Sequence, residues 1–407
     1  MGAGVSLALA CCLAVAALET GSLQRMIDLC PAGGCVEIPA GTHRTGALWL
    51  KSDMTLRLAK GAVLQGSDDP ADYPVWDWWF EGRRPEPCYA SLLNAPVGGV
   101  SNLVICGEGI VDGAGERLLP AEERERRGKR GRILGISNSR HVRVEGVTFR
   151  ESPCWALHFI YCSDVTLSNV TVRTKDDGCG RVYRGIHNGD GVDIDSCRGV
   201  RVIASRIFSQ DDCIAVKSGR DAYGRELGRP SEDIEIRDSF FGSGLGVAIG
   251  SEMSGGVRHV RVSDCVFSNT FSLASIKAVR GRGGVVEDIV FERCRFTNRS
   301  RELEDMIWFR GGIYLDLFYS IGNPDEDAPS PVGEGTPRFR NIVFRDIEAE
   351  TVVSSAIYAV GLPEAPIDDL VFENVRAAGR WGMKRKNIRG LVLRNCTVSA
   401  QEGEVYR

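Results

Sequence analysis

The sequence predicts an all-β fold, a single-stranded right-handed parallel β-helix, and three observations predict it. First, short stretches of apolar–polar alternation recur in one register: "VRVEGVTF" from Val142, "VTLSNVTV" from Val165, "VRVIASRIF" from Val200, "IEIRDSFF" from Ile234, "VRVSDCVF" from Val260 and "IVFERCRF" from Ile289. "IVFRDIEA" from Ile342, "LVFENVRA" from Leu370 and "LVLRNCTV" from Leu391 continue the series. A period of two is the mark of a strand with one buried face. Second, the starts lie about 21 to 35 residues apart, with one gap of 53, a spacing that fits one solenoid coil per repeat. Third, no helix-length segment reads between these strands, which excludes a doubly wound α/β sheet. A β-sandwich would stop after seven to nine strands in roughly 100 residues, whereas this pattern runs to the end of the chain.

In chain order, "GAGVSLALACCLAVAAL" is an apolar run ending before Glu19. It reads as a secretory segment with Ala14–Ala16 as its small-residue cleavage site, or as a buried first element; no Lys or Arg precedes it. Residues 22–407 then form one domain. Ser22–Gly34 reads as a short helix ending at glycine, capping the apolar end of the coil. "MTLRLAKGAVLQG" from Met54 and "LVICGEGIVDG" from Leu103 are the opening coils. Between them "DWWFEGRRPEP", Asp77–Pro87, interleaves aromatics with arginines, a composition suited to stacking on sugars and pairing with acids. In the ladder, Val142, Val144, Ile234 and Ile236 point inward, and Arg143 and Glu235 outward.

The 407 residues carry a net charge of −4, which gives no global basic field for nucleic acid. The apolar run is too short for a membrane span. The fourteen cysteines show no paired or zinc spacing; Cys162, Cys197, Cys265, Cys294 and Cys396 follow the strand pattern and read as stacked free thiols. That usage points to a reducing compartment, against the secretory reading of the N-terminus. Edges are exposed only at the ends of such a solenoid, so a monomer is expected.

The 32 residues from Asn188 to Gly219, "NGDGVDIDSC…SQDDCIAVKSG", hold five aspartates and a lysine in an apolar setting. Coils stack at ~4.8 Å. Asp190 and Asp211 are 21 residues apart, about one coil, and Asp212 and Lys277 are 65 apart, about two. The four therefore line up on one face. Carboxylates that close repel, so one retains a proton, and one acid beside one base is what glycosidic hydrolysis requires. Asp164, Asp193, Asp195 and Asp264 read instead as corner residues whose side chains satisfy turn backbone.

These blocks resemble glycoside hydrolase family 28, the polygalacturonase family. "NGDGVD" is similar to its Asn-x-Asp segment, "QDDCIAVKSG" to its Asp-Asp segment, and "SIK" (Ser275–Lys277) stands where the family has Arg-Ile-Lys. "GSEMSGGVRHV", "RGRGGVVEDI" and the opening coils resemble a bacterial, often exo-acting branch. The resemblance implies an inverting hydrolase of α-linked galacturonides that needs neither metal nor other cofactor and takes an acidic polysaccharide or oligogalacturonide. It implies Asp211 as general acid, Asp190 and Asp212 as activators of water, and Lys277 as a point charge for the substrate carboxylate. Asn188, Lys217, His158, Glu252, Arg280, Arg282 and Tyr319 are the further substrate-binding candidates. Two departures bear on the linkage: Leu245 replaces the family's histidine, and Ser275 the arginine of Arg-Ile-Lys. They keep open a galacturonosyl–rhamnose linkage, or a pectin-binding solenoid of weak activity. His187 reads either as reaching the cleft or as a surface turn residue, and Trp155 as core more readily than as a sugar platform.

Overall fold

The computed structural model describes residues 12–14, 22–302 and 309–406. The apolar N-terminal reading falls outside the described residues, except that the backbone of Cys12–Ala14 pairs in parallel with Cys35–Glu37. The helix covers Ser22–Leu29, shorter than the segment to Gly34 expected of it. Pro31 cannot continue the helix, Gly33 turns at φ 76°, and Gly34 already opens the first coil strand, Gly34–Ile38.

Each coil contributes one strand to a sheet of eleven and two further stretches to a second, wider sheet. All pairings between coils are parallel. The alternation read from sequence is the true register: Val142, Val165, Val200, Ile234, Val260, Ile289, Ile342 and Leu370 are direct partners down the ladder. Val142 and Val144 are buried and Arg143 is exposed, so the inward rows form one continuous apolar core. Aromatics stack within it, Phe291 on Phe344 at 5.3 Å and Phe344 on Phe372 at 5.2 Å, each pair contributing about 0.5–1.5 kcal/mol beyond its area.

Corners explain the Asp/Asn enrichment. Asp164, Asp264, Asp346, Asn374 and Asn395 all sit at φ 52–56°, left-handed backbone that short polar side chains tolerate. Asn395 donates to Asn374 at 2.9 Å and Asn374 to Asp346 at 2.8 Å, a polar ladder up one edge. The corner reading of Asp193 and Asp195 is corrected: both lie inside the strand Val192–Asp195 and are buried. The expectation of no helix between strands is corrected too. Gly115–Glu125 and Asp221–Leu227 are helices carried on loops outside the coil; neither separates one coil from the next. Cys162, Cys197, Cys265 and Cys294 are free thiols, all buried.

Candidate active site

The site lies on the outward face of the eleven-stranded sheet. In its central strands every second residue faces the core: Val192 and Ile194, Ile214 and Val216, Val247 and Ile249, Ile276. The alternate positions face out, and the register stacks His158 beside Asp193, then Ala215, Ala248, Ser275 and Tyr314. The small side chains Ala215, Ala248 and Ser275 in this row are fully buried. Because Val192 pairs with Ile214, Asp190 and Asp212, each two residues before its strand, occupy equivalent places on neighbouring rungs. The coil here is 22 residues, one more than the 21 separating Asp190 from Asp211. Continuing the register places Leu245 on the next rung, where it turns into the apolar core.

A cavity of about 230 Å³ opens beside these rungs. Among its lining are Asp190, Asp211, Asp212, Lys217, Glu252 and Lys277. Lys277 Nζ donates to both oxygens of Asp212, at 2.9 and 3.1 Å. Asp211 Oδ1 accepts from the Asp212 backbone N–H at 2.9 Å, which turns its other oxygen free of that turn. Burial pushes the Asp190 carboxyl well above its ordinary range, and the neighbouring Asp193 and Asp211 charges add to it. Burial and Asp212 likewise raise Asp211, against the pull of Lys277. The cavity thus holds carboxyls that favour the proton beside one that is ion-paired, the separation acid–base chemistry needs.

Deeper in, burial raises Asp193 to about 8 even though Lys217 opposes it. Glu252 goes the other way: burial alone would raise it, but Lys217 and Arg282 hold it at about 2. Lys217 Nζ lies 3.3 Å from Glu252 and 3.7 Å from Asp193 and sits 5.0 Å over the Trp155 ring. Arg282 donates to Ser251 O at 3.0 Å and Asp221 at 2.6 Å. Asn188, at φ 50°, receives Arg130 at 2.8 Å on its side-chain oxygen.

Nine of the eleven residues singled out from sequence line this cavity: Asn188, Asp190, Asp211, Asp212, Lys217, Glu252, Lys277, Arg282 and Tyr319. Two do not. Arg280 is drawn away by a bidentate pair with Glu364, at 2.7 and 3.0 Å, and lies outside the lining. His158 is fully buried, its Nδ1 accepting from Trp78 Nε1 at 3.1 Å; burial with Arg132 and Lys217 nearby lowers its pKa, keeping it neutral. His187 is exposed, 3.7 Å from Glu123. Trp155 is a cavity wall. Asp193, Arg220 and Ser251 complete the surroundings, and strand parity was the only sequence signal for Asp193.

The segment around Asp77–Pro87 closes one side of the groove. Val75–Trp78 and Glu86–Tyr89 form an antiparallel hairpin whose aromatic base packs with Trp155 and Ile160. Phe80 stacks on Trp155 at 5.7 Å with ring planes 5° apart. At the tip Glu81 pairs with Arg220 at 3.1 Å, and Arg84 with Glu226 at 2.9 Å. Gly82 turns at φ 65°, and a Cβ there would meet Glu252 Cβ at 3.1 Å, so only glycine lets the tip lie this close to the site.

A parallel solenoid with clustered carboxylates in one cavity defines a class, the β-helix with a glycosidase-type acid site. The chain belongs to glycosyl hydrolases family 28, whose family model matches residues 93–397. It is 31% identical over 360 residues to a probable polygalacturonase of Vitis vinifera (84% of this chain, 66% of that one). It is 27% identical to an exo-poly-alpha-D-galacturonosidase of Dickeya chrysanthemi, over 89% of this chain and 65% of that one. The chain therefore spans about two thirds of the length of these relatives. A family 28 exopolygalacturonase of Yersinia enterocolitica superposes with TM-score 0.78 at 20% identity, covering 95% of this chain and 73% of that one. An exopolygalacturonase of Thermotoga maritima gives 0.72 at 26% identity, with 93% and 85% covered.

Proposed function

We propose that this protein is an inverting hydrolase that removes α-linked galacturonic acid from the end of a pectic chain or oligosaccharide. The observation that carries the reading is the cavity of Asp190, Asp211 and Asp212 with Lys277 on the second rung along, in a family 28 chain. Asp211, raised and largely free of ion pairing, protonates the leaving glycosidic oxygen. Asp212, ion-paired to Lys277, takes the proton of a water on the opposite face of the sugar, and Asp190 orients that water. The attack inverts the anomeric carbon in one step, which requires acid and base about 6.5–9.5 Å apart with the water between them. Lys277, anchored by Asp212, presents its remaining N–H to the uronate. Lys217 and Arg282, already paired, hold Glu252 ionised and shape the wall.

The end-acting mode rests on the hairpin that walls off one side and on a cavity about the volume of eight waters at ~30 Å³ each, the scale of a single hexuronate ring. A second reading is supported by Leu245: with no imidazole on that rung, a galacturonosyl–rhamnose linkage is the competing substrate. Product analysis decides. Wild type and Asp211→Asn are given polygalacturonate, defined galacturonides and rhamnogalacturonan oligosaccharides, with and without chelator, and reducing ends and ultraviolet-absorbing products are measured. Hydrolysis from chain ends without unsaturated products is expected. Chelator-sensitive unsaturated products overturn the hydrolase, and retained binding without turnover in wild type makes the protein a pectin-binding solenoid.

A further inference from the structure

On the far side of the cavity from the hairpin, the outward face of the same sheet continues over three more rungs. Ser275 is followed by Tyr314, Tyr358 and Lys384, and Lys277 by Asp316, Val360 and Lys386. At ~4.8 Å per rung, Lys386 lies about 14 Å along the axis from Lys277. Arg310 donates to Tyr358 Oη at 3.0 Å, and Lys384 lies 5.3 Å over the Tyr358 ring. A line of cations on aromatic rings, in register with the carboxylate-bearing rungs, is what a polyuronate chain leaving the cavity would meet.

That shelf is occupied by the protein itself. The chain leaves the cavity wall at Tyr319 and Ser320 and runs over the shelf as "IGNPDEDAP", Ile321–Pro329. Arg310 donates to Ile321 O at 2.9 Å and Gly322 O at 2.8 Å. Glu326 pairs with Lys384 and lies 3.9 Å from Lys386, which pairs with Asp327 at 2.7 Å. Asn387 donates to Glu326 O at 2.9 Å. The Glu326 side chain is 11% exposed and Tyr358 beneath is 3% exposed. Glu326 and Asp327, with Asp325 next to them in the chain, thus lie over Lys384 and Lys386 on this face.

We propose that Arg310, Tyr358, Lys384 and Lys386 form a binding shelf for the uronate units beyond the cleavage point, and that the Asp325–Asp327 strap masks it by mimicking them. The inference rests on the proposed galacturonide substrate. With the strap seated the enzyme handles short oligomers; a polymer must displace the strap, charge for charge, to lie along the groove.

The test neutralises the strap as D325N/E326Q/D327N and compares kcat/KM on polygalacturonate and on digalacturonate, which is too short to reach the strap. Polymer affinity is measured separately by calorimetry in the Asp211→Asn background. Polymer kcat/KM and affinity rise about tenfold, the scale of a few partly exposed ion pairs released, while digalacturonate changes less than about twofold. Adding K384Q/K386Q abolishes the gain. A folded strap variant with unchanged polymer affinity and unchanged polymer-to-dimer ratio overturns the proposal: the pairs then only fasten a loop. If the triple variant does not fold, E326Q alone, which removes the charge between both lysines, gives a smaller shift in the same direction or refutes it. If wild type hydrolyses no galacturonide, the functional reading fails, and the calorimetric arm still decides the shelf.

Discussion

Replacing Lys217 by methionine removes an ammonium held between Glu252 at 3.3 Å and Asp193 at 3.7 Å, its side chain only 6% exposed. The two acids answer differently. Asp193, raised by burial to about 8, already carries its proton at neutral pH and loses little. Glu252 is held at about 2, below its ordinary 4.5, and at 1.36 kcal/mol per pKa unit that gap is about 3 kcal/mol shared among Lys217, Arg282 and Ser251. Breaking a buried pair from one side costs about 3–5 kcal/mol, so the variant should lose about 4. With an unfolding entropy of ~2.1 cal/mol/K per residue, the 407-residue chain loses about 5 °C in Tm. The sign in acid follows from the depressed pKa. Glu252 contributes stability that is present above its unfolded value of 4.5 and is lost as pH falls through about 2; the variant lacks that acid-sensitive increment. The assay is calorimetric melting at pH 7 and across the acid window, for wild type, Lys217→Met, Glu252→Gln and the double variant. The double should recover about 2 kcal/mol relative to the sum of the singles. A Tm change under about 1 °C, or strict additivity, would refute the pairing and leave Lys217 as a freely disposed substrate ligand.

Asp211→Asn should lower kcat on the cleaved galacturonide about 10²–10⁴-fold. As the proton donor, Asp211 must be protonated to act, so wild-type kcat/KM falls as pH rises through its raised value, an apparent constant belonging to the coupled carboxyls; the asparagine variant loses that limb. Activity on charged oligosaccharides should fall with added salt, because a net-acidic protein recognises its substrate through local cations screened over about 8 Å at 0.15 M, and salt-independent KM would contradict the lysine assignments. Glu81→Gln combined with Arg84→Ala removes the ties of the hairpin tip to Arg220 and Glu226, and chromatography should then show longer products from polygalacturonate; an unchanged product ladder would mean the hairpin does not set the end-acting mode. Since the core thiols Cys162, Cys197, Cys213, Cys265 and Cys294 are free, a thiol reductant should leave Tm unchanged, and a drop of several degrees would reveal a covalent link.

What the sequence made legible was whatever repeats locally. Val142 through Leu370 fell into register because each coil must bury its own apolar pair against the next, and that demand is written every second residue. The acidic cluster was legible for the same reason: Asp190 and Asp212 inherit their alignment from Val192 and Ile214. Asp193 was misplaced because corner and strand aspartates look alike until the parity of the strand is known, and parity puts Asp193 outward between His158 and Ala215. Arg280 and His158 were lost to partners far off in sequence, Glu364 and Trp78, 84 and 80 residues away. The docking of the hairpin, whose composition alone stood out, and the strap were opaque for a related reason. Neither repeats, and each is fixed by ion pairs to rungs it does not belong to: Glu81 to Arg220, Glu326 to Lys384. On this reading the coil sets which chemistry is present, while the two insertions set how much of a polymer can reach it. Chain-length preference can accordingly change through these two insertions without any change in the ladder beneath.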